Sequence, residues 1–106
     1  MNSKSIEGKI RRGSKKQLLV LQIVANSIED VVTTAQMFQS LYGVIDDSTS
    51  TASQSAGGVV SATTRMKDEN GNYLLLPFGD KRWKLNIEVI DKERLKKLVN
   101  ELLDSW

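Results

Sequence analysis

Basic side chains crowd the start of the sequence. Lys4, Lys9, Arg11, Arg12, Lys15 and Lys16 stand within residues 1–16 against one acid, Glu7. Residues 17–64 carry no Lys or Arg and four acids, Glu29, Asp30, Asp46 and Asp47. A second basic group, Lys81, Arg82 and Lys84, lies in the more evenly charged remainder. Cations gathered in this way suit a polyanion, such as a nucleic-acid backbone with a phosphate about every 3.4 Å along each strand. Each group also has a plainer reading. The first sixteen residues suit a solvated leader, and Lys81-Arg82 suits the protection of an edge strand against pairing with another chain.

Other chemistry is poorly provided for. The sequence has no His and no Cys, so a zinc site, thiol redox chemistry and a His-based triad are excluded. The carboxylate pairs Glu29-Asp30 and Asp46-Asp47 are adjacent in sequence, and adjacent side chains seldom converge on one ion; caps or solvated loops suit them better. Ser55-Ala56-Gly57-Gly58 lacks the spacing and the lysine of a phosphate-cradling loop. The expectation is a protein that is not an enzyme, with no cofactor and no metal.

The elements that must position these charges follow from the 106 residues, 40% hydrophobic, with a formal charge of +2. A chain of this size forms one domain, burying roughly 65% of its unfolded surface. No apolar run approaches the roughly 20 residues of a membrane span, and the charged start lacks the apolar stretch of a signal peptide. A soluble, cytoplasmic protein is expected, with no membrane partner.

Residues 1–14 read as a basic flexible arm. Ser14 can cap a helix over 15–26, with Leu18, Leu21, Val24 and Ala25 on one face. Val31-Val32 is a short β-branched pair. Thr33 or Thr34 then opens a second helix through Tyr42, with Ala35, Phe38, Leu41 and Tyr42 as its stripe and Gly43 after its end. Residues 48–55 are mostly Ser and Thr, a loop composition. A helix from Thr51 to Met66 would carry Ala52, Ala56, Val59, Thr63 and Met66 on one side, although Gly57-Gly58 weakens it by roughly 1 kcal/mol per Gly; a strand suits Val59, Val60, Thr63 and Thr64 equally. Asn70-Gly71 marks a turn. A hairpin follows, with strands 73–77 and 82–90 around the turn 78–81. Trp83, Leu85, Ile87 and Val89 alternate with polar residues in its second arm. Asp91 can cap a final helix with the stripe Leu95, Leu98, Val99, Leu102, Leu103 and Trp106.

This order resembles a winged helix-turn-helix domain. VVTTAQMFQSLYG (31–43) is similar to the first strand and second helix of such domains, STASQSAGGVVSATTRM (50–66) to the third, recognition helix, and NYLLLPFGDKRWKLN (72–86) to the wing. The resemblance implies an α+β fold: a three-helix core, a two-stranded wing and a C-terminal helix. The domain would span 15–90, with 91–106 covering the core or forming a dimer. It also implies a small DNA-binding protein, a transcriptional regulator holding duplex DNA. Lys9, Arg11, Arg12, Lys15 and Lys16 would meet phosphates from one side, and Lys81, Arg82 and Lys84 from the wing. Ser53, Gln54 and Ser55 would open the third helix, where base edges are contacted, and Arg65 would stand near its end. Gln54 suits adenine, whose edge takes a two-pronged amide, and equally suits solvent. The alternative is a protein-interaction module of the same fold, favoured by the third helix having no Lys or Arg before Arg65. Leu103 and Trp106, farthest along the final stripe, are expected at a homodimer interface.

Overall fold

The computed structural model describes residues 4–28, 31–41 and 56–105. These form an α+β unit of five helices and one small antiparallel sheet. The order is α1 (Lys4–Arg11), α2 (Lys15–Asn26), β1 (Val31–Thr33), α3 (Thr34–Ser40), α4 (Ala56–Thr64), β2 (Leu75–Pro77), β3 (Arg82–Leu85) and α5 (Lys92–Asp104).

The second helix begins where its cap predicts. Ser14 Oγ accepts from the Gln17 N–H at 3.2 Å, and Gln17 Oε1 accepts from the Ser14 N–H at 3.1 Å. This reciprocal box satisfies two donors that the first turn leaves open. Val20 is buried beside Leu18, Leu21, Val24 and Ala25, so the apolar side is wider than one stripe. That breadth suits a central helix, and α2 packs against α3, α4 and α5.

Residues 4–11 are helical rather than a flexible arm. Ile6 and Ile10, one turn apart, are fully buried in the common core. Burying two such side chains contributes about 1.5–3 kcal/mol each, against the entropy of ordering the segment. The Glu7 carboxylate accepts from Arg94 Nη2 of α5 at 2.6 Å and from Nε at 3.1 Å. Gly13 joins α1 to α2 in a tight space: an added Cβ would stand 2.9 Å from Gln17 Oε1 and 3.1 Å from the Ile10 carbonyl.

Thr33 caps α3 through a second such box with Gln36. The buried residues here are Met37 and Leu41; Ala35 is exposed and Phe38 is 41% exposed, which corrects the expected stripe. The rotation of α3 is set by its anchor: Thr33 pairs with Arg82, and the Thr34 N–H donates to the Lys81 carbonyl at 2.9 Å. Tyr42 and Gly43 lie outside the described residues, as do Glu29-Asp30, Asp46-Asp47 and the expected start of the next helix at 51–55. From Ala56 to Thr64 that segment is a helix and not a strand, with Val59, Val60 and Thr63 buried.

Asp68 organises the turn ahead of the hairpin. Its Oδ1 accepts from the N–H groups of Asn70 and Asn72, each at 2.9 Å, and Gly71 adopts φ 84°. The Asn72 N–H, ahead of a smaller opposing effect of burial, holds the Asp68 pKa below its ordinary value.

The sheet has three strands in the order β1-β3-β2, not two. Val31, Val32 and Thr33 pair with Lys84, Trp83 and Arg82. Leu75, Leu76 and Pro77 pair with Leu85, Lys84 and Trp83. The third strand ends at Leu85 instead of running on to residue 90. Asn86 Nδ2 donates to the Tyr73 carbonyl at 3.0 Å, and Asn86 Oδ1 accepts from the Glu88 N–H at 3.1 Å. These bonds turn the chain off the sheet and leave Ile87 69% exposed. Asp91 occupies the N-cap of α5 without a side-chain capping bond. Leu95, Leu98 and Val99 of that helix are buried, and Leu102 and Leu103 pack partly against the same core. No helix among the described residues is long and apolar enough to cross a membrane.

Candidate functional site

The register of the hairpin sorts its side chains onto two faces. Leu76 lies opposite Lys84, and the Phe78 N–H donates to the Arg82 carbonyl at 2.9 Å. Directly opposed residues share a face, so Leu76, Phe78, Arg82 and Lys84 stand together, and all four are exposed. Arg82 Cζ lies 5.8 Å and Lys84 Nζ 5.9 Å from the centre of the Phe78 ring. Both are within the range at which a ring face attracts a cation. Neither cation pairs with a carboxylate among the described residues.

The turn that carries them is tightly held. Gly79 takes φ 87°, and an added Cβ would stand 2.6 Å from Arg82 Nη2. Lys81 takes φ 55°, the one positive-φ residue other than glycine among those described. Its carbonyl accepts from the Thr34 N–H and, at 3.3 Å, from Thr34 Oγ1. A side chain in the left-handed region costs roughly 1–3 kcal/mol, so the fold alone would favour glycine at this position.

A second set of cations gathers after α4. Lys9 Nζ donates to the Lys67 carbonyl, which brings α1 to the segment following Arg65. Lys67 Nζ stands 5.9 Å from the centre of the Tyr73 ring, and Lys67 and Tyr73 form an isolated bridge at the base of the hairpin. Arg65 is exposed and is the only charged residue of 56–66. The rest of that helix's outer side is small, with Gly57 and Ala62 exposed.

The other expected residues are more dispersed. Arg11 and Arg12 are exposed, and Arg12 Nε folds back onto the Gly8 carbonyl at 3.2 Å. Lys15 and Lys16 sit in the first turn of α2, which holds no acid. Two cations at the positive end of a helix dipole cost about 0.3–1 kcal/mol each. No hydrogen bond or ion pair joins them to either cluster among the described residues. Ser53, Gln54, Ser55 and Trp106 lie outside those residues.

Sequence reasoning missed Leu76, Phe78, Lys67 and Tyr73. The run Leu74-Leu75-Leu76-Pro77-Phe78 conceals an outward face because it reads as continuously apolar. The register decides it: the turn is the three residues 79–81, closed by the bond from the Phe78 N–H to the Arg82 carbonyl, which sets Leu76 against Lys84, whereas the expected turn at 78–81 would set it against Trp83.

A cleft of about 360 Å³ opens between α4 and the other face of the hairpin, lined by Ser61, Thr64, Arg65, Tyr73, Leu75, Pro77 and Trp83. A larger cleft of about 550 Å³, beside the end of α2, has no charged residue among the described residues that line it. The chain matches no family model, no curated protein and no solved structure.

Proposed function

We propose that the chain is a winged-helix variant that binds duplex DNA as a small transcriptional regulator. The observation that carries this reading is the hairpin tip: Lys81, Arg82 and Lys84 project without acidic partners among the described residues, from a turn that keeps a lysine where glycine would cost less. The order helix, strand, helix, helix, hairpin, with β1 added beside β3, supports the fold assignment. Lys15 and Lys16 at the positive end of α2 support an anionic partner, because a nearby phosphate would relieve their unfavourable placement.

In this reading the hairpin and the exposed cations of α1 and α2 contact phosphates, while the start of the third helix contacts base edges. Replacing Arg11, Arg12, Lys81 and Arg82 with Ala should weaken binding. It should also flatten the dependence of log affinity on log salt by roughly one unit per lost phosphate contact. Titration of labelled duplex at two salt concentrations tests it, and absence of binding at low salt rejects it. A protein-interaction module is the second reading, favoured by the small, nearly uncharged outer side of α4. The homodimer through Leu103 and Trp106 belongs to the proposal as well. Leu103 is partly exposed, so it retains surface for a partner although it also touches its own core. Sedimentation of Leu103→Glu, with circular dichroism as a control for folding, tests that contact.

A further inference from the structure

We propose that the cleft between α4 and the hairpin is a binding site for a small planar aromatic carboxylate, a role separate from the DNA contact. Its volume of about 360 Å³ falls in the range of small-molecule sites, roughly 300–1,000 Å³. Its walls are the Tyr73 and Trp83 side chains with Leu75 and Pro77, which suits a flat apolar ring. The Trp83 wall is fixed from behind, since its indole N–H donates to Thr34 Oγ1 at 3.3 Å.

The polar groups stand on one side. Arg65 directly follows α4 and its N–H donates to the Ser61 carbonyl at 3.1 Å, so the two stand one turn apart on the same side, and both line the cleft. The Thr64 hydroxyl is already engaged, donating to the Ser61 carbonyl at 3.0 Å. The Ser61 hydroxyl and the Arg65 guanidinium have no partner among the described residues. A guanidinium and a hydroxyl at this spacing can donate to the two oxygens of one carboxylate. The surroundings also favour an anion. Lys67 Nζ stands over the Tyr73 ring, and Lys9 reaches the Lys67 carbonyl. Asp68, which feels the Lys9 charge, already accepts from Asn70 and Asn72. A neutral or cationic ring would leave Arg65 desolvated and unpaired.

The test titrates the intact chain with 1-naphthoate, and with 1-naphthalenemethanol as its neutral counterpart, followed by calorimetry and by the Trp83 indole N–H resonance. The carboxylate should move that resonance and bind at least about tenfold more tightly than the alcohol, as a charge-assisted pair implies. Arg65→Gln should abolish the preference, and Ser61→Ala should reduce it. Arg82→Gln, on the opposite face of the hairpin, should leave it intact. An unmoved Trp83 resonance, equal affinity for acid and alcohol, or an equal loss in Arg82→Gln overturns the proposal. These outcomes are independent of duplex binding, so failure here leaves the DNA reading untouched, and the reverse also holds.

Discussion

The two basic regions, α1 and the hairpin tip, look alike in sequence and differ in what holds them. In α1, charge is woven into the fold. Lys9 is tied to the Lys67 carbonyl and Glu7 to Arg94, while Ile6 and Ile10 carry the helix into the core. At the hairpin tip, Arg82 and Lys84 touch the half-exposed Phe78 ring and no carboxylate among the described residues. Lys81 adopts a backbone conformation that the fold would give to glycine. A run of positive charge therefore does not by itself separate architecture from function. The partners of each cation do.

The largest way to expose this difference is to empty the α1 anchor. Ile10→Ala should cost about 2–4 kcal/mol of folding stability, as truncation of a fully buried isoleucine does. Urea unfolding checks it, and a loss under about 0.5 kcal/mol would restore the picture of a detached arm. Lys81→Gly should act in the opposite direction, raising stability by about 1 kcal/mol through relief of the left-handed strain. The same change should lower the salt slope of duplex binding by about one unit. Lys15→Glu should add about 0.3–1 kcal/mol by turning an unfavourable dipole contact into a favourable one, again at the expense of duplex affinity. Thermal unfolding and the titration together check both substitutions.

The smallest effect concerns Asp68. Its pKa is depressed in the folded chain below the ordinary 3.8, so folding favours the ionised form. The stability it contributes is fully present above the unfolded pKa and is lost as pH falls through the folded value. Asp68→Asn should therefore lower stability at neutral pH and flatten the acid limb of unfolding below about pH 4. Equal acid sensitivity in both proteins would show that the Asx-type turn depends on shape alone.

The legible parts of this fold are those encoded locally. Ser14 announces α2, Thr33 or Thr34 announces α3, and Asn70-Gly71 and Phe78-Gly79 mark turns, because each cap or turn is a bargain among residues within four positions; the Gln17 and Gln36 halves of the two capping boxes came with the structure. The parts that were not legible depend on distant partners. Ile6 and Ile10 are two apolar residues in a polar, Gly-containing segment, and burial in the shared core, with α5 alongside, makes a helix of them worth forming. Phe38 and Met37 compete for the same inward side of α3, and the pairing of Thr33 with Arg82 decides between them. The alternation through Ile87 continues a strand on paper, whereas the Asn86 side chain diverts the backbone. The hairpin cations of the candidate site were visible as charges; their partner Phe78 required the strand register.

The most direct test is the salt dependence of duplex binding by Arg82→Ala/Lys84→Ala beside wild type. The double variant should lose about two units of slope in log affinity against log salt, with its urea midpoint unchanged. An unchanged slope, or a wild-type chain that does not bind duplex at low salt, would contradict the account.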